Sequence, residues 1–166
     1  MKKTIIVLLF IIILLPGCLD NLDDDSKSPR AKSENLELSI EMEKKTINLN
    51  SSSIIILVIL RNIEKYNIEI SKYFTLASNI FLNITTPEGT HLEYSDIFAS
   101  PLEEYEEIAP NGAIEKSFDI KNVTWKLNDQ LYDWTIIGKY SIIAEYAGVY
   151  PHVYSNQIEF EITSQD

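Results

Sequence analysis

The chain has 166 residues, a formal net charge of −11 at pH 7, and a hydrophobic fraction of 45%. This length and apolar content are enough for one folded domain. The acidic charge argues against nucleic-acid binding, because a negative chain is repelled by phosphate backbones. Cys18 is the single cysteine, so an intramolecular disulfide is excluded and stability has to come from a hydrophobic core.

Residues 1–18 read MKKTIIVLLFIIILLPGC. The apolar run from Ile5 to Leu15 is 11 residues long, whereas a membrane-spanning helix needs about 20. A basic start, an apolar stretch of this length and a small residue before a cleavage point are typical of a secretory signal. The sole cysteine directly follows Leu15-Pro16-Gly17. This arrangement resembles the signal peptide of prokaryotic lipoproteins.

The resemblance implies that residues 1–17 are removed and that Cys18 carries the lipid. The protein would then be anchored to the cell membrane or cell surface, with its domain outside the cytoplasm. At least two acyl chains are expected, which is what stable anchoring requires at about 0.8 kcal/mol per buried CH₂. Loss of Lys2 and Lys3 with the signal changes the formal charge from −11 to −13. A chain so acidic has no electrostatic attraction to anionic lipid, so the acyl anchor alone would hold it.

Residues 18–34 are predicted to be the lipidated N-terminus and a disordered acidic tether, because they contain almost nothing apolar to bury. Asp23-Asp24-Asp25 does not have the spacing of a calcium loop, and we interpret it as part of a solvated stalk.

Residues 35–166 show the alternation of apolar and polar residues that indicates half-buried strands. Leu36 to Met42 alternate regularly, and Ile47 and Leu49 repeat the pattern weakly. Ser53 to Leu60 is β-branched and apolar on both faces, which predicts a central strand. A short strand is expected at Ile68 and Ile70.

The second half continues the pattern. Asn79–Thr85 and His91–Tyr94 should form a hairpin around Pro87-Glu88-Gly89, where glycine accepts a positive φ. Further strands are expected within 113–123, 140–146 and 156–163, with a turn at residues 110–112 and a short helical crossover at 127–134.

The predicted fold is therefore all-β: an immunoglobulin-like β-sandwich of about seven to nine antiparallel strands. The segments NITTPEGTHL (83–92) and GKYSIIAEY (138–146) are similar to those of immunoglobulin-like domains in secreted prokaryotic proteins. The similarity extends to domains related to bacterial proteinase inhibitors and macroglobulin-type modules. Gly138-Lys139-Tyr140 suggests a tyrosine corner, in which the Tyr140 hydroxyl bonds to nearby backbone.

No catalytic, phosphate-binding, zinc or EF-hand motif occurs in the sequence, so we expect neither catalytic nor metal-binding residues and no cofactor. His91 and His152 are isolated, and we interpret both as exposed loop histidines.

Glu103–Glu107 could supply calcium ligands, although a solvated acidic loop is the favoured interpretation. A cluster of aromatic residues could anchor an interface, stack on sugars or fill the core; it comprises Trp125, Tyr132, Trp134, Tyr150 and Tyr154.

Three sequons place possible N-glycosylation at Asn50, Asn83 and Asn122. They matter only in an organism that glycosylates its surface proteins.

Three functional hypotheses follow. The leading one is a non-enzymatic, lipid-anchored envelope module that binds another protein or a glycan. The second is a proteinase inhibitor that acts through the acidic loop from Ser95 to Pro110, which rests on the fold resemblance. The third is a structural spacer in an envelope complex.

Overall fold

The computed structural model describes residues 28–94 and 104–164, and most of these lie in β-strands. The predicted all-β sandwich is confirmed. Two short 3-10 helices, Ser33–Asn35 and Ile120–Asn122, accompany the strands in these ranges. The strands of the described ranges, in chain order, are β1 Leu36–Glu41, β2 Thr46–Asn48, β3 Ile55–Asn62, β4 Ile68–Ser71, β5 Ile80–Thr85, β6 His91–Tyr94, β7 Tyr105–Ile108, β8 Ala113–Asp119, β9 Trp125–Leu127, β10 Gln130–Leu131, β11 Gly138–Tyr146 and β12 Val153–Thr163.

The strands form two larger sheets and one small one. The three-stranded sheet has the order β1-β3-β8, and the seven-stranded sheet has the order β10-β9-β6-β5-β11-β12-β2. Strands β4 and β7 form a separate pair. The described ranges contain more strands than the expected seven to nine. Three of them, β2, β9 and β10, are only two or three residues long, which is too short for an alternating pattern to show in the sequence. Pairing is antiparallel throughout except between β2 and β12, which run parallel.

Apolar residues at every second position of the strands bury one face of each large sheet in a common core. In β11 the buried residues are Tyr140, Ile142, Ala144 and Tyr146, as the alternation predicts. Burial of one large apolar side chain contributes roughly 1.5–3 kcal/mol relative to its exposure. The stability of the fold therefore comes from this core, because a single cysteine cannot form an intramolecular disulfide.

Strand β3 is the central strand of its sheet, as its composition predicts. Ile54, Ile56 and Val58 on one face are fully buried. On the other face exposure varies along the strand: Ile55 is 48% exposed, whereas Ile59 is only 8% exposed.

The predicted helical crossover at residues 127–134 is wrong. Strands β9 and β10 form a tight hairpin there, with Gln130 opposite Leu127. Asn128 and Asp129 between them have φ values of 52° and 65°. Two consecutive residues with positive φ match the twist of a two-residue hairpin, and Asn and Asp tolerate this conformation.

The acidic stretch Glu103–Glu107 was expected to be a loop, but its described part contributes to β7. Glu106 and Glu107 lie opposite Ile70 and Glu69 of β4. Ile108 at the end of the strand is 3% exposed. Burial of this one apolar residue and the pairing with β4 outweigh the weak strand propensity of glutamate. Glu103 and most of the loop 95–110 lie outside the described residues.

Residues 28–34 pack on the sandwich, so the folded part begins before the predicted boundary at residue 35. The Glu69 N–H donates to the Pro29 carbonyl at 2.9 Å, and the Ala31 N–H donates to the Glu69 carbonyl at 2.8 Å. The Arg30 guanidinium lies 4.3 Å from the centroid of the Tyr105 ring. The remainder of the predicted tether and the signal peptide lie outside the described residues. Within the described ranges, no helix has both the length and the apolar character to cross a bilayer.

The predicted tyrosine corner is confirmed. The Tyr140 hydroxyl donates to the Ile136 carbonyl at 2.7 Å and lies 2.5 Å from the Tyr132 hydroxyl. Burial raises the pKa of Tyr140, and the bond to Tyr132 raises it further. The corner fixes the entry of the chain into β11, the strand between β5 and β12.

Candidate binding groove

Cys18, the predicted lipidation site, lies outside the described residues. The three possible glycosylation sites lie on different parts of the sandwich. Asn50 is an exposed turn residue between β2 and β3, Asn83 is exposed on β5, and Asn122 is exposed at the end of the second 3-10 helix. The Asn122 side chain donates to Asp119 at 3.1 Å.

The two histidines are well separated and have different partners. His91 Nδ1 lies 3.1 Å from Thr85 Oγ1 on the neighbouring strand. His152 Nδ1 lies 2.5 Å from Glu145 Oε1, just before β12. Both are exposed, as predicted, but His91 belongs to a strand and not to a loop.

The aromatic cluster is divided between the core and the surface. Trp125 and Trp134 are buried and pack edge to face, with ring centroids 6.3 Å apart. Tyr150 and Tyr154 are 90% and 58% exposed. The core interpretation therefore holds for the tryptophans, whereas the two exposed tyrosines are available to a partner.

Acidic residues in and next to β7 bond to neighbouring side chains in the described part of the chain, as Glu107 does to Ser28 and Asn67. Glu104 forms an ion pair with Lys72 at 2.7 Å. This hydrogen bond lowers the pKa of Glu104 and raises that of Lys72. Among the described residues, no group of three or more His, Cys, Asp or Glu side chains is arranged to hold a metal ion.

A groove of about 520 Å³ lies between β1, the edge strand of the three-stranded sheet, and the beginning of β12. Leu36 and Leu38 are buried at its inner side, while Ile63 and Tyr154, 50% and 58% exposed, form its rim. The residues that line it are Leu36, Glu37, Leu38, Ile63, Val153, Tyr154, Ser155 and Asn156.

The register of β1 and β3 determines which main-chain groups face this groove. Asn35 and Ile63 are a hydrogen-bonded pair, because the Ile63 N–H donates to the Asn35 carbonyl at 3.0 Å. Hydrogen-bonded and non-hydrogen-bonded pairs alternate along an antiparallel ladder. The main-chain groups of the even-numbered residues of β1 therefore point away from β3, toward the groove.

Two of these main-chain positions already have partners. Asn156 Oδ1 accepts from the Ile40 N–H at 3.0 Å, and Asn156 Nδ2 donates to the Ile40 carbonyl at 3.1 Å. The Leu36 N–H bonds back to the Ser33 carbonyl in the preceding 3-10 helix. The Leu38 N–H and C=O and the Leu36 C=O lie on the same side, where the nearby β12 leaves Leu36 and Leu38 only 5% and 4% exposed.

Sequence reasoning missed this groove. It identified β1 and the last strand, but placed the start of that strand near residue 156 instead of at Val153. Alternation shows which side chains are buried but not which strands lie side by side. Asn156 carries no sequence signal of its own.

Comparisons with known proteins leave the function open. No family model and no curated protein matches the sequence. A mutant β-glucosidase from Listeria innocua in complex with laminaribiose is similar in structure at 13% identity and a TM-score of 0.43, over 77% of this chain and 16% of that one. An alkylpurine DNA glycosylase from Pseudomonas fluorescens aligns at 11% identity and a TM-score of 0.41, over 80% of this chain and 31% of that one. The chain thus spans less than a third of these proteins, and likenesses this distant bear on neither activity nor ligand.

Proposed function

We propose that this chain is a lipid-anchored, non-enzymatic module of the cell envelope that recognises a protein or glycan partner outside the cytoplasm. The observation that carries the proposal is the position of Cys18, directly after an apolar leader and a small residue. At least two acyl chains on this thiol would attach the domain stably to a membrane.

The fold supports a binding role. The sandwich has a groove between β1 and the beginning of β12, with the exposed side chains of Tyr154 and Ile63 at its rim. Tyrosine is enriched at binding hot spots, since its large ring and its hydroxyl both contribute to an interface. A membrane-attached domain with such a surface is suited to stoichiometric recognition.

Site-specific photo-crosslinking in intact cells tests this proposal. The full chain is produced with benzoylphenylalanine in place of Tyr154, and a matched chain carries it in place of Leu131, which is 74% exposed on the distant β10. We expect a discrete crosslinked species in the membrane fraction from position 154 and none from position 131. Equal labelling from the two positions, or none from either, would contradict a binding role for this surface.

A further inference from the structure

We propose that the face of the seven-stranded sheet that is turned away from the core binds a neutral, extended oligosaccharide near the turn between β11 and β12. This inference rests on the proposed function, because it names the class of partner that the binding module recognises. The binding surface, the tyrosine platform, is formed by six side chains from β5, β11, β12 and that turn: Asn83, Glu145, Tyr150, His152, Tyr154 and Gln157.

The register of three neighbouring strands brings the centre of the platform together. Glu145 of β11 lies opposite Phe81 of β5 on one side and opposite Tyr154 of β12 on the other. Ala144 and Tyr146, which flank Glu145 in β11, are both 0% exposed. Because successive side chains of a strand point to opposite faces, this row of three side chains is turned away from the core.

A second row lies beside the first on the same face. Ile143 of β11 is opposite Asn83 of β5 and Gln157 of β12. With neighbouring strands about 4.8 Å apart, the two rows extend about 10 Å across the sheet and about 7 Å along it. This flat area is the footprint of a short segment of an extended sugar chain.

Hydrogen bonds orient the polar centre of the platform. His152 Nδ1 lies 2.5 Å from Glu145 Oε1, and Asn83 Nδ2 donates to Glu145 Oε2 at 3.4 Å. The His152 ring in turn packs edge to face against Tyr150, with ring centroids 6.3 Å apart. The carboxylate is thus positioned before a ligand arrives, which reduces the entropy that binding costs.

The exposed groups of the platform suit sugar hydroxyls and sugar rings. Tyr150 and Tyr154 are 90% and 58% exposed, and Asn83 and Gln157 are exposed as well. A side-chain amide both donates and accepts hydrogen bonds, as a sugar hydroxyl does. A tyrosine ring combines an apolar face, on which the C–H groups of a sugar can pack, with a polar hydroxyl.

Charge favours a neutral occupant. Glu145 and His152 are the acidic and the basic member of the platform, and they are bonded to each other. The platform contains no lysine or arginine, and the whole chain has a net charge of −11, so an anionic ligand would be repelled. A cationic ligand would have to displace His152 from Glu145.

The platform differs from a protein interface in its apolar content. The core of a protein interface is apolar and fully buried. In the two rows, the apolar side chains of Phe81 and Ile143 are already half-buried in the free protein. A glycan is therefore the occupant that the exposed amides and tyrosines favour.

Binding of soluble tetrasaccharides tests the proposal. Asn83 is also a possible glycosylation site, and a glycan attached there would cover the platform. The full chain is therefore produced in a host without N-glycosylation and kept in a detergent that has no sugar headgroup. The probes are cellotetraose and chitotetraose, which are neutral, and tetragalacturonate is the anionic control. We expect saturable binding of at least one neutral probe in calorimetry and none of the anionic one.

Two pairs of variants locate the binding. Tyr154→Ala and Gln157→Ala should each weaken it about fivefold or more, as expected for the loss of one hydrogen bond. Tyr66→Ala, after β3, and Gln130→Ala, on β10, are the matched controls at exposed positions outside the platform and should leave the affinity unchanged.

Three results would overturn the platform as a glycan site: binding of neither neutral tetrasaccharide, platform variants that bind no worse than their controls, or tighter binding of tetragalacturonate. A protein crosslinked from position 154 without any glycan binding would also overturn it, but would leave the proposed binding module standing. Absence of both the crosslink and glycan binding would remove both.

Discussion

At the residue scale, the side-chain amide of Asn156 connects the two large sheets. The amide bonds to both main-chain groups of Ile40, on the side of β1 where β12 lies close by without a main-chain ladder. The Asn156 side chain thus joins β1 to β12 where their main chains do not pair directly.

Asn156→Ala should therefore lower the free energy of unfolding by about 1–3 kcal/mol, since it leaves a main-chain donor and acceptor without partners. Urea unfolding measures the change, and amide exchange should speed up at Ile40. Gln157→Ala, at the next and exposed position, is the matched control and should change stability by less than about 0.5 kcal/mol. Equal effects of the two substitutions would show that the Asn156 amide does not stabilise this junction.

Tyr140→Phe tests the tyrosine corner. The substitution keeps the buried ring but removes the hydroxyl that donates to the Ile136 carbonyl. We expect a loss of roughly 1–3 kcal/mol in unfolding free energy, because that carbonyl is left without its donor. Tyr150→Phe, at a position 90% exposed, should be almost neutral. A neutral result for Tyr140→Phe would refute the structural role of the corner.

At the element scale, β3 is joined to two loops through one buried polar residue. Asn62 is 0% exposed, and its Nδ2 lies within 3.1 Å of the carbonyls of Tyr66, Ile108 and Ala109. Its Oδ1 accepts from the Glu64 N–H at 2.8 Å. Asn62 thus links the end of β3 to the connection toward β4 and to the end of β7.

Asn62→Ala should cost about 2–4 kcal/mol, because several main-chain groups lose their partner at a site closed to water. Thermal unfolding of the purified chain measures this loss. Asn67→Ala serves as the control, since Asn67 is exposed and donates only to Glu107 at 3.1 Å. If Asn62→Ala melts at the temperature of the wild type, the loops are held in another way.

The strands also differ in how well the sequence predicts them. Strands whose burial alternates, such as β1 and β11, were predicted closely because side-chain periodicity reports directly on one buried face. The hairpin of β9 and β10 was missed because Asn128 and Asp129 were not interpreted as a turn with positive φ. Strand β7 was missed because its stability comes from pairing with β4, which local composition does not encode. The groove escaped prediction for a related reason: strand order in a sheet is a tertiary property.

At the scale of the whole molecule, buried tyrosines make stability depend on alkaline pH. Burial raises the pKa of Tyr94, Tyr132 and Tyr140 above their ordinary value, and raises that of Tyr146 to about 12. The folded chain therefore retains protons that the unfolded chain releases above a pH of about 10. The contribution of these groups is fully present below that pH and is lost as the pH rises toward the folded-state pKa values.

The free energy of unfolding should consequently fall as the pH increases from about 10 to 12, by at most roughly 1.4 kcal/mol per pH unit for each such tyrosine. Urea titrations at several alkaline pH values measure the slope, and Tyr146→Phe should make it shallower. Tyr154→Phe, at an exposed position, should leave the slope as it is. A stability that stays constant up to pH 12 would contradict the burial of these hydroxyls.

The central claim is that the sandwich is held at a membrane through Cys18. The most direct test is the intact mass of the full chain purified from membranes, combined with detergent phase partitioning of wild type and Cys18→Ser. We predict a mature chain that begins at Cys18, carries the added mass of at least two acyl chains and partitions into detergent. Cys18→Ser should lack that mass, because serine offers no thiolate to accept the lipid. A wild-type chain that begins at another residue, or that carries no lipid on Cys18, would contradict the account.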